Sequence, residues 1–138
     1  MAQTKIRIPA HNWSPRAHQR PLWRHLERGG TRAIEIAHRR WGKDEICLHW
    51  GCVSAIQRVG NYHHALPEYA QARKAIWTAV NPHTGRRRID EAFPQEIRAN
   101  TNEQEMFIRF KNQSTWQVIG SDNYDRLVGS SIAGITFS

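Results

Sequence analysis

The spacing of apolar positions divides the chain into short segments of changing period. Pro15 opens a predicted helix from about Arg16 to Arg28, with Leu22, Trp23 and Leu26 on one face and Gly29-Gly30 ending it. Arg32-Ala33-Ile34-Glu35-Ile36-Ala37 is short and strand-like, and a turn follows at His38-Arg39-Arg40-Trp41-Gly42. From Lys43 to about Arg58 the pattern is helical, because Ile46, Trp50, Val53 and Ile56 recur at three- and four-residue steps. Gly60-Asn61 breaks it, and Tyr62 to Leu66 reads as a second strand stopped by Pro67. Glu68 to Val80 gives the clearest helical stripe, made by Tyr69, Ala72, Ile76, Trp77 and Val80 with Arg73 among them.

Beyond the turn-rich Asn81-Pro82-His83-Thr84-Gly85 the chain is irregular to Asn102, apart from a short helix near Pro94. The period then drops to two. Met106, Ile108 and Phe110 alternate, as do Trp116 and Val118, across Lys111-Asn112-Gln113-Ser114, which predicts a peripheral β-hairpin. Gly134-Ile135-Thr136-Phe137-Ser138 reads as the start of another buried strand, so the chain is expected to be a piece of a longer protein.

The 138 residues fit one domain, with 1–12 as a flexible lead-in and 13–138 as the folded part. No apolar run approaches the roughly 20 residues that span a bilayer, and Met1-Ala2-Gln3-Thr4-Lys5 lacks the apolar core of a secretion signal. Two cysteines are too few for a disulfide framework and suit a reducing cytoplasm. The net charge of +8 is uneven: up to Arg40 only Glu27 and Glu35 oppose nine Lys or Arg, and Arg86-Arg87-Arg88 forms a second basic run. Such an excess favours polyanions, nucleic acid or nucleotide, and equally fits a solvated basic surface.

One segment carries chemistry. In Ala33 to Asp44 a strand feeds a tight turn containing Gly-Lys, and an amphipathic helix begins at once. Backbone N–H groups of such a turn point at a phosphate, the helix N-terminus adds positive partial charge, and a lysine reaches the terminal phosphates. Against G-x-x-x-x-G-K-[ST], Ala37 replaces the first glycine and Asp44 replaces the magnesium-holding hydroxyl. A surface turn with a solvated Lys43 fits the spacing as well, with Asp44 simply favoured by the helix dipole.

Several motifs in order resemble the large subunit of bacteriophage terminase. They are Trp13-x-Pro15-x-x-x-Gln19, His38-Arg39-Arg40-Trp41-Gly42-Lys43-Asp44, and Leu66-Pro67-x-x-x-Gln71-Ala72-Arg73-x-x-x-Trp77. Phe107 to Ser114 and Gly120 to Gly129 continue the series. The resemblance implies an α/β fold of the P-loop NTPase-like three-layer kind, with a mainly parallel central sheet, incomplete here, plus the hairpin. It implies an ATPase that drives DNA into a capsid, with a nuclease domain absent from this chain. Gln19 would read adenine, with Trp13 or Arg16 near the base or sugar. Trp41, Gly42 and Lys43 would line the phosphates, and Asp44 would hold Mg2+ of the ATP cofactor. Arg39 would act as an arginine finger, with Arg40 as the second candidate.

Ser138 would take the metal side of an acidic strand tip, and a water-activating Glu is expected just past it. The chain alone is therefore expected to hold nucleotide and to turn it over negligibly. Partners implied are ATP, double-stranded DNA, the terminase small subunit and the capsid portal. A homo-oligomeric ring in the full-length protein and the cytoplasm of a bacterial host are implied too. Two other readings compete: a helicase-like DNA translocase, and a non-enzymatic basic module that binds nucleic acid.

The departures and remaining clusters add little. Gln113 stands where relatives often have Gly, so it must accept a left-handed conformation or the turn type differs. Val128 precedes Gly129 where an Arg is common. Cys47 and Cys52 lie about 140° apart around a helix, and His63 and His64 face opposite sides of a strand, so neither pair shares a metal. Arg73 is a candidate to reach phosphate, while Arg86-Arg87-Arg88 fits a solvated loop better than a DNA contact.

Overall fold

Gly29, at φ 90°, ends the first helix at the predicted place. A 3-10 turn at Ala17–Gln19 leads into α1 (Arg20–Glu27), with a proline in its first turn. The computed structural model describes residues 7–9, 13–37, 41–122 and 131–138. Most of the predicted lead-in, the predicted turn residues 38–40 and the Asn123–Gly129 part of the terminase-like motifs therefore lie outside the described residues.

The second helix, α2 (Lys43–Gln57), matches its prediction closely, but it is buried on two sides. The stripe legible in the sequence, Ile46, Trp50 and Val53, meets Trp13, Trp23 and Trp41 in an aromatic cluster under α1. A second stripe, Leu48, Cys52 and Ala55, faces the sheet. Between these positions Gly51 lets the helix come close, since a Cβ there would stand 3.1 Å from the Trp116 indole nitrogen.

The sheet has five strands, β1 (Asn61–Leu66), β2 (Arg98–Asn102), β3 (Phe107–Phe110), β4 (Thr115–Gly120) and β5 (Gly134–Phe137), in the order β2-β3-β4-β1-β5. β1 pairs in parallel with β4 and β5, whereas β3 pairs antiparallel with β2 and β4. The sheet is thus mixed rather than mainly parallel. The hairpin is present, but it is not peripheral, because β4 is the middle strand. Ile108, Phe110, Trp116 and Val118 all lie in the main core, as their alternation predicts. Gln113 takes the left-handed conformation, at φ 79°. Asn112 secures that turn: its side chain accepts from Ser114 N–H and donates to the Ala55 carbonyl near the end of α2.

Three sequence expectations need correction. The helix predicted over Glu68–Val80 is shorter: α3 (Tyr69–Ala72) widens into a π turn at Arg73–Trp77 and stops. Both the backbone N–H and the hydroxyl of Thr78 bond the Arg73 carbonyl, closing the wider turn. Val80 instead pairs with Arg87 and is half exposed. β2 was not foreseen. β5 forms, but it is not buried: Ile135 is 37% exposed and Phe137 71%.

The described helices that join the main core, α2, α3 with its π turn, and α4 (Arg88–Ala92), pack with one face of the sheet, marked by Tyr62, Trp116 and Val118. Buried Arg98 ties α4 to the sheet by donating to the Phe93 and Ile89 carbonyls and to Asp90. No described helix is long and apolar enough to cross a membrane.

Arg87 and Trp77 both donate to Glu103, and this pairing holds the carboxyl well below its usual 4.5, at about 2. A depressed folded pKa means the contribution is fully present above the unfolded value and fades as pH falls through about 2. Glu103→Gln should therefore flatten the loss of stability over that acid range. Denaturant midpoints followed by tryptophan fluorescence at several pH values check this.

Candidate functional site

Gly42 precedes α2 at φ 88° and ψ 35°, a left-handed conformation that suits glycine. Among the described residues no side chain caps the start of α2. The turn before it is braced from the first helical segment. Arg16 Nη2, His18 Nε2 and Gln19 Nε2 all donate to the Trp41 carbonyl, at 3.0, 2.9 and 3.2 Å. Gln19 also donates to the Gly42 carbonyl, and its own Oε1 accepts from the Arg16 amide. A Cβ on Gly42 would collide with the side-chain nitrogens of Arg16 and Gln19.

Lys43 starts the helix, half-buried, and forms no ion pair among the described residues. Asp44, next along, lies at the C-terminal side of the parallel strands. Its Oδ1 is 3.5 Å from Nε2 of His64 on β1, and Ser138, just after β5, lies close enough to help lower the pKa of its carboxylate. Burial alone would raise the Asp44 pKa, but the contacts with His64 and Ser138 and the charge of Lys43 outweigh it and hold it below the ordinary value. Cys47, one turn further on, is pushed up to about 12 by burial and by the Asp44 charge, so it stays a thiol and is no nucleophile.

Of the residues singled out in the sequence, Arg16, Gln19, Trp41, Gly42, Lys43 and Asp44 come together. Trp13 does not join the turn itself. It stacks on His49, with ring centroids 4.2 Å apart, and donates to Glu45. Both amide-nitrogen contacts of Gln19 go to backbone carbonyls, so here it braces the turn. Arg73 donates to the Glu103 and Gln104 carbonyls, away from the turn. Arg87 and Arg88 pair with acidic side chains rather than lying solvated: Arg87 with Asp90 and Glu103, Arg88 with Glu45. Arg39 and Arg40 lie outside the described residues.

The largest correction concerns the strand expected to feed the turn. Arg32–Ala37 makes no ladder, and Ile34 and Ile36 are 91% and 95% exposed. Its alternation of apolar residues is genuine, but the segment has no strand partner here. Sequence reasoning also missed His18 and Thr136, and it gave His64 no partner. Opposite faces for His63 and His64 were legible, but the Asp44 partner of His64 depends on a contact between distant segments.

Among the described residues no three His, Cys, Asp or Glu side chains converge on one ion. Gly42→Ala is expected to cost about 1–3 kcal/mol, through backbone strain and displacement of Arg16 and Gln19. Gly85, also left-handed at φ 72° but with open space around it, supplies the comparison. Gly85→Ala should cost only about 1 kcal/mol, and equal urea-denaturation losses at both positions would rule out the steric part. Compared with protein-family models, curated proteins and solved structures, the chain gives no match.

Proposed function

We propose that the chain grips the triphosphate of ATP at the start of α2, as the nucleotide-holding part of a terminase-type DNA-packaging motor. The observation that carries this reading is the left-handed Gly42 leading into the N-terminus of a 15-residue helix that no side chain caps among the described residues. Amide donors and the helix dipole favour an anion there, Lys43 adds a full charge, and Arg16 lies against Gly42. Asp44 with Ser138 supplies oxygen atoms for the Mg2+ that accompanies ATP. Arg39 is the arginine finger in this reading.

The reading asks one thing of the fold. Arg32–Ala37 must enter the sheet beside β5, whose outer edge has no strand partner among the described residues. That edge lies next to the start of α2, so a parallel strand there would deliver the chain directly into the turn. Nucleotide would favour this state by completing the contacts of Lys43 and the amides.

A basic nucleic-acid-binding module is the second reading. A shallow hollow of about 490 Å3 beside α1, lined by Arg24, His25 and Arg28, favours it. The two readings separate in solution. Under the nucleotide reading, ATP with Mg2+ raises Tm saturably, by about 2.7 kcal/mol of added stability at a hundredfold excess over Kd. Lys43→Ala removes that protection, and amide exchange slows over 32–37 when ATP binds. If ATP gives no protection while DNA binding falls steeply with salt, the nucleotide reading fails and the module reading stands.

A further inference from the structure

Two features that strand pairing normally hides are both exposed. The first is the outer edge of β5. Gly134-Ile135-Thr136-Phe137 contains no charge and no proline, the devices that commonly blunt a free edge, and its outer side has no strand partner among the described residues. Thr136 turns inward to His64, so alternation puts Ile135 and Phe137 on the sheet face away from α2. On that face the register aligns Ile119, Ala65 and Phe137 across β4, β1 and β5. Ile119 and Ala65 are buried, whereas Phe137 is mostly exposed, so the apolar row runs out into solvent at the edge.

The second is the segment 32–37, which belongs to no ladder and exposes Ile34 and Ile36 almost fully. Both of its ends are tied down. The Gly30 N–H donates to the His25 carbonyl, and the His25 ring lies so close to Gly30 that a Cβ there would overlap it. The same ring donates from Nε2 to the Arg32 carbonyl at 2.9 Å. At the other end Ala37 packs against the cluster of Trp23, Trp41 and Ile46. Joining β5 of its own chain requires the segment to release these anchors. Receiving the β5 edge of another molecule requires no such change.

We propose that a second copy of this chain covers both features: residues 32–37 of one molecule add as a strand to the β5 edge of another, and a closed dimer makes this contact twice. Main-chain N–H and C=O groups then complete a ladder on both elements. Ile34 and Ile36, which share one side of an extended strand, continue the apolar row of Ile119, Ala65 and Phe137. The contact needs no nucleotide and does not rest on the ATP reading. Under that reading nucleotide draws the same segment into its own sheet and so competes with the dimer.

Sedimentation equilibrium without nucleotide, over about two decades of protein concentration, should show monomer and dimer in exchange. Amide exchange over 32–37 and 134–137 should slow as the dimer fills. Ile34→Asn combined with Ile36→Asn, and separately Phe137→Asn, should each weaken association by about tenfold or more. These side chains are exposed, so the monomer is expected to keep its fold, which circular dichroism checks. Val80→Asn, at a half-exposed apolar position beside Arg87, should leave association unchanged. An equimolar mixture of the two weakened variants should recover part of the association, because one intact segment then meets one intact edge. Should a variant prove misfolded, the exchange pattern of the unaltered chain decides by itself. A chain that stays monomeric at about 1 mM, or a dimer that leaves 32–37 unprotected, overturns the proposal. So does equal weakening by Val80→Asn, a mixture no better than its components, or a segment variant that dimerises undiminished, which means that β5 edges pair with each other. No nucleotide enters these measurements, so their failure leaves thermal protection by ATP as a separate question.

Discussion

The placement of α2 is the constraint on which the candidate site depends. A helix packed on one side can roll or slide, whereas α2 is gripped on two. Leu48, Cys52 and Ala55 lie on the sheet, with Gly51 tight against Trp116, and Ile46, Trp50 and Val53 lie under the tryptophan cluster. The end near Ala55 is anchored as well, because the side chains of Asn112 and Ser114 both donate to the Ala55 carbonyl. Close packing of this kind leaves little freedom, so the start of the helix is set where the turn and the ends of β1 and β5 meet it. Lys43 and Asp44 inherit their positions from this packing.

The same cluster explains how the turn before α2 is held. Three donors on one carbonyl is an unusual concentration, since a carbonyl offers two lone pairs. Arg16, His18 and Gln19 thus crowd donor groups around Trp41 and Gly42 rather than reaching outward. The brace fixes the left-handed glycine and brings the Arg16 guanidinium to the turn, both of which suit an anion. It also means that Gln19 gains a structural duty which a reading of sequence motifs alone assigns to base recognition.

Local signals in the sequence were read well where neighbours along the chain decide the outcome. The stop at Gly29, the span of α2 and the strand after Gly60-Asn61 depend on backbone preference and period. What failed depends on distant contacts. The Glu68–Val80 pattern breaks because Arg73 is drawn to the Glu103 and Gln104 carbonyls and the helix widens there. Trp13 was legible as an important aromatic but not as a partner of His49 and Glu45. His64 was legible as facing away from His63, yet only β5 and α2 folding together show what it faces.

The strand-like segment and the sheet edge make one problem from two observations. Ile34 and Ile36 alternate with polar residues as strand residues do, yet both lie almost fully in solvent. Among the described residues β5 meanwhile pairs on one side only, and it exposes much of Phe137. Unpaired strand edges with apolar side chains attract further strands, and burying an isoleucine is worth about 1.5–3 kcal/mol. An arrangement that leaves both features exposed is therefore close in free energy to one that joins them. Closing the ladder carries the entropic cost of ordering six residues, about 1–2 kcal/mol each, which equals or exceeds what burying the two isoleucines alone returns. A ligand that contacts the turn only when the strand is in place would tip that balance. In the nucleotide reading the phosphates are that ligand, and the open edge is a vacancy in the sheet that binding fills.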